Sequence, residues 1–132
     1  MEKVAATLNA NLVGTWRCCT AVTPEMKRNG YGPIVNVTSH MGTSVEMGTG
    51  SVSYRVSKAG DNALTQILAA ELNEHNILVN TASPGKVDTR LAYGEANHTP
   101  DEAADTFTWL STLPDDGPTC QLFYNRNPLP WQ

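Results

Sequence analysis

Residues 33–39, PIVNVTS, form a short β-branched run bounded by Gly32 and Gly42. Such a run is typical of a buried strand in a parallel sheet, which is apolar along its length because helices cover both faces. The run turns polar at Ser39, and the following residues 40–50 are rich in Gly, Thr and Ser. We therefore expect a strand that ends at Ser39, followed by a loop.

Helices are predicted on both sides of this strand. Residues 2–28 place apolar side chains at three- and four-residue spacing, which predicts an amphipathic helix that ends near residues 29–30. Residues 51–74 have the alanine and leucine spacing of a long helix. Ser51 or Ser53 is the candidate N-cap of that helix, since a serine hydroxyl can accept a bond from a free backbone N–H.

Further elements follow downstream. Residues 77–82, ILVNTA, predict a second buried strand, which closes in the turn Pro84-Gly85. Thr99-Pro100-Asp101-Glu102 has the cap, the early proline and the acids of a helix start, and we expect this helix to run to about Leu113. A last short strand is predicted near residues 121–124.

The order of these elements predicts an α/β fold with a doubly wound parallel sheet. Strands that alternate with helices of this length are joined by right-handed parallel crossovers. Such a sheet binds ligands beyond the carboxyl ends of its strands, where Ser39 and the Pro84-Gly85 turn fall. We therefore expect the functional site at this edge of the sheet.

Composition excludes several classes of function. Nine Lys and Arg against 13 Asp and Glu give a net charge of -4, and the basic residues are scattered, so we expect no nucleic-acid or anionic-membrane partner. No stretch approaches the roughly 20 apolar residues of a membrane span, and the start Met1-Glu2-Lys3 has no apolar signal region, so we expect a cytoplasmic protein. The three histidines lie far apart and the three cysteines form no C-x-x-C pair. We predict no metal site and expect reduced, mostly buried thiols.

Tyr54 and Lys58 lie four residues apart at the start of the helix predicted over 51–74. This spacing puts the phenol and the ammonium on one helix face, about 5–6 Å apart at Cβ. A phenol with a pKa of about 10 is a poor acid or base at neutral pH, and a nearby cation stabilises its phenolate. Taken alone, the pair has two interpretations: a proton-handling pair or, more often, a solvated surface pair.

Three sequence blocks around this pair favour the first interpretation. They are N-V-T-S at residues 36–39, YRVSKAG at 54–60 and VNTASPGKVDT at 79–89. In the order and spacing of these blocks, the sequence resembles the classical short-chain dehydrogenases/reductases. An N-x-x-G segment at residues 11–14 is also similar, and residues 109–119 and 128–131 are similar to carbonyl-reductase-like members. The resemblance covers nearly the whole chain.

The resemblance implies an NAD(P)-dependent oxidoreductase that interconverts a carbonyl and a secondary alcohol. In this family's mechanism Tyr54 is the general acid or base at the carbonyl oxygen, and Ser39 polarises the same oxygen. Lys58 stabilises the phenolate and holds the nicotinamide-ribose hydroxyls with Tyr54, while Asn11 positions a water between Lys58 and bulk solvent. Hydride comes from the cofactor, NAD or NADP. The loop 91–99 would line the substrate pocket, and its sequence does not identify the substrate.

The resemblance also implies where the nicotinamide lies. Its amide would meet the turn Pro84-Gly85-x-Val87, with Thr89 hydrogen-bonding nearby. Taken alone, Pro-Gly after a strand is a common turn and Ser39 an ordinary strand-end hydroxyl. The family's glycine-rich pyrophosphate turn, its cofactor-selecting residue and its N-N-A-G strand end are absent from the sequence, so no residue decides between NAD and NADP.

These absences predict an incomplete fold. We expect one partial Rossmann-like domain over residues 1–132 that lacks the N-terminal nucleotide-binding strands and leaves strand 34–38 as an exposed apolar edge. An alternative is a cofactor-deficient remnant that acts as an inactive dimerisation module. In the family the helices matching 2–28 and 51–74 pack against a partner subunit, so we expect a homo-oligomer through them. A nucleotide-sugar epimerase of the extended relatives also uses Tyr-x-x-x-Lys, but the region after Thr89 is short for its substrate domain.

Two positions depart from the family pattern. Asp61, one turn after Lys58, stands where relatives tend to be apolar. It can form an i, i+3 ion pair that competes for the ammonium, or be an ordinary solvated acid. Cys120 stands before the final strand, where a glycine is more typical.

Overall fold

The computed structural model describes residues 1–92 and 94–131. Helices and strands follow the order predicted from the sequence, with one additional strand at the end. The elements are α1 (Glu2–Leu8), α2 (Gly14–Asn29), β1 (Ile34–Val37), α3 (Val52–Leu72), β2 (Val79–Ala82), α4 (Pro100–Ser111), β3 (Leu122–Tyr124) and β4 (Asn127–Leu129). A π-helical segment joins α1 to α2, and short 3-10 turns follow β1, α3 and β2; they span Asn9–Val13, His40–Gly42, Asn73–His75 and Arg90–Ala92.

The four described strands form one sheet in the order β1-β2-β3-β4. β1, β2 and β3 are parallel, with Ile34 opposite Val79 and Thr81 opposite Leu122, so the predicted parallel sheet is confirmed for these strands. β1 lies at one edge of this sheet, where 51% of Val37 is exposed and Ile34 is buried.

Strand β4 is antiparallel to β3 and was not predicted. Its short run contains Pro128, which weakens a strand signal. Asn125 and Arg126 connect the two strands with φ of 50° and 61°. A two-residue hairpin loop needs this left-handed backbone, but arginine is not among the residues that favour it. The sequence therefore lacks the usual hairpin signal.

Helices cover both faces of the sheet. On one face α2 and α3 pack on β1 and β2, and the buried residues are Cys19, Ile34, Ala69, Leu72, Ile77 and Val79. On the other face α4 packs on β2 and β3, and the buried residues are Leu78, Ala82, Leu110, Leu113 and Phe123. Neighbouring residues of a strand point to opposite faces, which places Leu78 and Val79 in different clusters. The doubly wound arrangement is confirmed.

The helix ends follow local capping rules in part. Gly30 closes α2 in the left-handed conformation, with φ of 62°. The predicted cap of α4 is confirmed: Thr99 Oγ1 accepts from the Glu102 N–H at 3.2 Å, and the Glu102 carboxylate accepts from the Thr99 N–H at 3.1 Å. Ser51 occupies the N-cap position of α3, but its side chain makes no capping hydrogen bond, so neither serine caps this helix as predicted.

The three cysteines differ in burial. Cys19 is buried, Cys18 is exposed and Cys120 is half-buried, so the prediction of mostly buried thiols is wrong. Adjacent positions on α2 point to different sides of the helix, and only Cys19 faces the sheet. Cys120 has a left-handed backbone, with φ of 60°, which explains why glycine is the more typical residue there. Within the described ranges, no helix has the length and apolarity that crossing a bilayer requires.

Candidate active site

The first turns of α3 bring Tyr54 and Lys58 together. Lys58 Nζ lies 5.9 Å from the centroid of the Tyr54 ring, within the range of a cation–π contact. Tyr54 is 36% exposed, whereas only 13% of the Lys58 side chain is exposed. The phenol is therefore accessible to a ligand, while the ammonium acts on it from a more enclosed position.

The Lys58 ammonium has two further neighbours. Its Nζ donates to the carbonyl oxygen of Val37, at the end of β1, over 3.0 Å. It also lies 3.5 Å from Asp61 Oδ2, an ion-pair distance rather than that of a good hydrogen bond. Of the two interpretations of Asp61, the structure has the ion pair and not the solvated acid.

Asp61 is a fully buried carboxylate, with no exposed surface. Among the described residues, neither of its oxygens has a hydrogen-bond partner. Burial raises the pKa of Asp61 to about 6, because it disfavours the charged form more than the Lys58 ammonium favours it. A carboxylate in this position is costly to the fold and sensitive to pH.

Asn11 is joined to the same part of α3 through Ser57. It lies in the π-helical segment Asn9–Val13, and its Nδ2 donates to Ser57 Oγ over 3.1 Å. Ser57 is buried, and its hydroxyl donates to the Tyr54 carbonyl oxygen over 2.7 Å. Within the described residues Asn11 makes no hydrogen bond to Lys58 itself. The structure thus places Asn11 beside the helix turn that carries Tyr54 and Lys58.

Ser39 lies in the loop that follows β1. Its Oγ accepts from the Met41 N–H at 3.2 Å and caps the turn His40–Gly42. This turn packs directly on α3: a Cβ at Gly42 would lie 2.7 Å from the carbonyl carbon of Lys58, so only glycine permits the approach. The turn holds the Ser39 backbone against the helix that carries Lys58.

The loop after β2 holds the residues predicted to meet the nicotinamide. Gly85, which follows Pro84, has φ of 71°, and a Cβ there would lie 2.8 Å from the Tyr124 ring. Val87 pairs with His98, and Thr89 is exposed, with its Oγ1 accepting from the Leu91 N–H at 3.2 Å.

No hydrogen bond in the described ranges joins Pro84, Gly85, Val87 or Thr89 to Tyr54, Lys58 or Ser39. The two loops are connected instead by a pair that sequence reasoning missed. Ser83 Oγ and His40 Nδ1 are 2.7 Å apart.

Aromatic side chains extend this connection. The His40 ring packs edge-on against Tyr124, with centroids 4.8 Å apart, and the Tyr124 hydroxyl is hydrogen-bonded to His98 Nε2. His40 follows Ser39 directly, and Ser83 precedes Pro84 directly. Because carboxyl ends of neighbouring parallel strands meet at one edge, the positions of these two residues were a signal that could have revealed the pair.

This edge of the sheet fits one half of a nicotinamide cofactor. Tyr54 and Lys58 offer a phenol and an ammonium, and the turn at Gly85 follows β2 at the same edge of the sheet. The pyrophosphate half needs a glycine-rich turn at a helix N-terminus, and the family's T-G-x-x-x-G-x-G pattern precedes none of the described helices, although Gly48 and Gly50 lie before α3. Nowhere in residues 1–92 and 94–131 do three His, Cys, Asp or Glu side chains group as metal ligands.

Comparison with known proteins identifies the family. The family model for short chain dehydrogenases matches residues 1–99. The chain belongs to the short-chain dehydrogenase family. Carbonyl reductase (NADPH) 1 of Mus musculus is 38% identical over 96 residues, which cover 68% of this chain and 35% of that protein. The resemblance to carbonyl-reductase-like members of the short-chain dehydrogenases is therefore confirmed.

Other known proteins match over more of the chain. An uncharacterized NAD-dependent oxidoreductase of Mycobacterium tuberculosis is 35% identical over 135 residues, covering 83% of this chain and 48% of that protein. The structure of carbonyl reductase Sniffer of D. melanogaster matches with a TM-score of 0.86 at 22% identity, over 99% of this chain and 58% of that one. The latter shows the fold alone. The chain spans between about a third and a half of the length of these curated relatives.

Proposed function

We propose that this chain belongs to an NAD(P)-dependent oxidoreductase that interconverts a carbonyl and a secondary alcohol. The observation that supports it is the Lys58 ammonium, 5.9 Å from the centroid of the half-exposed Tyr54 ring, on a helix packed against the loop that carries Ser39. A carbonyl reductase and an NAD-dependent oxidoreductase among the similar proteins are named for the same class of reaction.

The proposed proton transfer uses Tyr54, Ser39 and Lys58. In reduction the Tyr54 phenol gives its proton to the carbonyl oxygen, and in oxidation the phenolate takes it from the alcohol. The Ser39 hydroxyl donates a hydrogen bond to the same oxygen, where negative charge develops. The Lys58 ammonium stabilises the phenolate that remains. NAD(P)H, when bound, supplies the hydride.

Asn11 has an indirect role in the proposed proton transfer. It positions a water that connects Lys58 to bulk solvent, so that the proton lost by Tyr54 is replaced. Its hydrogen bond to Ser57 supports the proposal, because Ser57 directly precedes Lys58 in the sequence. The bond therefore holds the Asn11 amide beside the helix turn that carries Lys58.

The cofactor would be held at its nicotinamide end by two groups of residues. Tyr54 and Lys58 bind the ribose hydroxyls. The Pro84-Gly85-x-Val87 turn faces the nicotinamide amide through its backbone, with Thr89 hydrogen-bonding nearby. The position of this turn supports the proposal, because it follows β2 at the carboxyl edge of the sheet, where sheets of this kind bind ligands.

We also propose a homo-oligomer formed through helices 2–28 and 51–74. Large apolar side chains are exposed on both: Trp16 is 55% exposed on α2, and Ile67 is 56% exposed on α3. Exposed apolar side chains on both helices support an interaction surface there. Sedimentation analysis of the wild type and of Trp16→Glu tests it: a monomeric wild type contradicts the proposal, and a monomer only in the variant supports it.

A second candidate is an inactive dimerisation or interaction module. One observation favours it: the Lys58 ammonium is engaged by Val37 and Asp61, and Asp61 neutralises the charge that Tyr54 chemistry needs. Under this alternative the oligomer forms, but the chain neither binds NAD(P)H nor turns over a carbonyl.

Titration of the purified chain with NADH and NADPH, followed by fluorescence, separates the two candidates. Saturable binding with reduction of a test ketone is expected for the enzyme, and no saturable binding for the module. In the enzyme Tyr54→Phe abolishes turnover but still binds the cofactor, because Lys58 keeps its bonds to the ribose hydroxyls. Tyr31→Phe, which removes the hydroxyl that donates to the Leu113 carbonyl oxygen, is the matched control. Turnover retained by Tyr54→Phe refutes the assigned role.

A further inference from the structure

The Lys58 ammonium has three neighbouring groups that attract it. Asp61 Oδ2 is 3.5 Å from Nζ, the Val37 carbonyl oxygen is 3.0 Å from it, and the centroid of the Tyr54 ring is 5.9 Å away. The Val37 carbonyl oxygen holds the ammonium at the end of β1, and the Asp61 carboxyl lies beside it on α3. An ionised Asp61 next to the ammonium adds a negative charge that opposes the field of Lys58 at the phenol.

Within residues 1–92 and 94–131, Asp61 has no other charged or hydrogen-bonding partner that would restrain it. Its side chain is fully buried, and in the described part of the chain its two oxygens accept no hydrogen bond. A buried carboxylate normally has hydrogen-bond donors that stabilise its charge. Among the residues that the structure describes, only the charge of Lys58 acts on it favourably. The state of Asp61 and the position of Lys58 are therefore coupled.

The other titratable groups around Asp61 are few. From α2 the Cys19 thiol faces it; burial raises the pKa of Cys19, with smaller contributions that include the charge of Asp61. β1 carries no titratable side chain. In the turn after β1, His40 is hydrogen-bonded to Ser83. On α1, Glu2 and Lys3 are exposed. Lys58 is thus the charged group on which the ionisation of Asp61 acts most directly.

We propose that Asp61 is a positioning residue for Lys58: as an anion it holds the ammonium in an ion pair and opposes its charge, and when protonated it frees the ammonium from that ion pair to act on Tyr54. This inference rests on the proposed function, because the role of Lys58 does. It makes the Tyr54–Lys58 pair more effective in mildly acidic than in neutral solution.

The pH at which this release occurs follows from burial. The pKa of Asp61 is raised to about 6, so the carboxyl is largely neutral at pH 5 and ionised at about pH 7. A dehydrogenase with an apolar residue in this position would have no such titration. The effect is therefore a property of this chain's own residue and not of the Tyr-x-x-x-Lys pattern.

NMR of the lysine side chains tests the coupling without any need for turnover. The chain has four lysines, so the Lys58 ammonium and Cε signals can be assigned by their loss in Lys58→Arg. In the wild type we expect these signals to shift with a midpoint near pH 6, and in Asp61→Asn we expect no such transition. Glu71→Gln removes an exposed carboxylate from the same helix and is the matched control, with a wild-type titration.

The outcomes distinguish this inference from the proposed function. A wild-type Lys58 signal that does not titrate between about pH 5 and about pH 7, or a transition that persists in Asp61→Asn, overturns the role of Asp61. The first of these outcomes overturns the role even if the variant does not fold. Absence of turnover in every variant, with the Lys58 titration present, refutes the proposed function instead. Where turnover occurs, kcat/KM should fall from pH 5.5 to pH 7.5 more steeply in the wild type than in Asp61→Asn.

Discussion

Replacing Asp61 by asparagine is expected to stabilise the fold, and increasingly so as the pH rises. The pKa of Asp61 is about 6 in the folded protein, against an ordinary value of 3.8, because burial disfavours the anion. The folded state therefore binds this proton more tightly than the unfolded state. Its stabilising contribution is fully present below pH 3.8 and is lost as the pH rises through about 6.

The size of this loss follows from the same two pKa values. Each pH unit between them corresponds to about 1.4 kcal/mol, so ionisation of Asp61 costs the folded state about 3 kcal/mol by neutral pH. Asparagine has nearly the same shape and does not ionise. The free energy of unfolding of Asp61→Asn minus that of the wild type should therefore rise by about 3 kcal/mol between about pH 4 and about pH 7.

Urea unfolding followed by circular dichroism measures this difference at closely spaced pH values. The subtraction is needed because other groups act in the opposite direction: the capping bonds from Thr99 lower the pKa of Glu102, and the bond from Arg126 lowers that of Asp105. Glu71→Gln, on the exposed face of α3, should follow the wild type throughout. A variant-minus-wild-type difference that is flat, or that falls with rising pH, would refute the burial argument.

Two further changes test the local structure of the chain. Gly42→Ala places a Cβ 2.7 Å from the Lys58 carbonyl carbon and should destabilise the fold by about 1–3 kcal/mol. Gly48→Ala, whose Cβ would lie 3.5 Å from the Arg55 guanidinium, should destabilise it much less. Equal losses of unfolding free energy in urea would contradict the close approach at Gly42. Thr99→Ala removes the N-cap of α4 and should lower the free energy of unfolding by about 1 kcal/mol. Thr99→Ser keeps the hydroxyl and should retain most of the wild-type stability. Thermal melting of both variants tests this, and equal melting temperatures would show that the capping box does not stabilise the helix.

Much of the architecture could be predicted because it depends on short-range pattern. The β-branched run at 34–37 forms its strand, and the i, i+4 spacing of Tyr54 and Lys58 places both on one helix face. The box at Thr99 is a contact between residues three apart, so the sequence contains both partners within one turn. Each of these features needs only its own segment to be explained.

Other features depend on residues distant in the chain. Arg126 adopts a left-handed backbone at the β3–β4 hairpin while its guanidinium makes two bonds to the Asp105 carboxylate, at 2.7 and 2.8 Å. The Ser83–His40 pair joins residues 43 positions apart. Local residue preferences contain no information about such long-range contacts. For this reason neither the last strand nor the Ser83–His40 pair was predicted from the sequence.

The sequence by itself determined the family, the alternation of helices and strands, and the presence of a tyrosine and a lysine on one helix face, because motif order and residue spacing are written in the chain. Only the tertiary structure decided the state of Asp61. Spacing allowed either a solvated acid or an ion pair, and the packing of α3 against its neighbours removed water from the carboxylate and left Lys58 as its charged partner. Burial is a property of the whole packed core, so the electrostatics around Lys58 could not be read from its own helix alone.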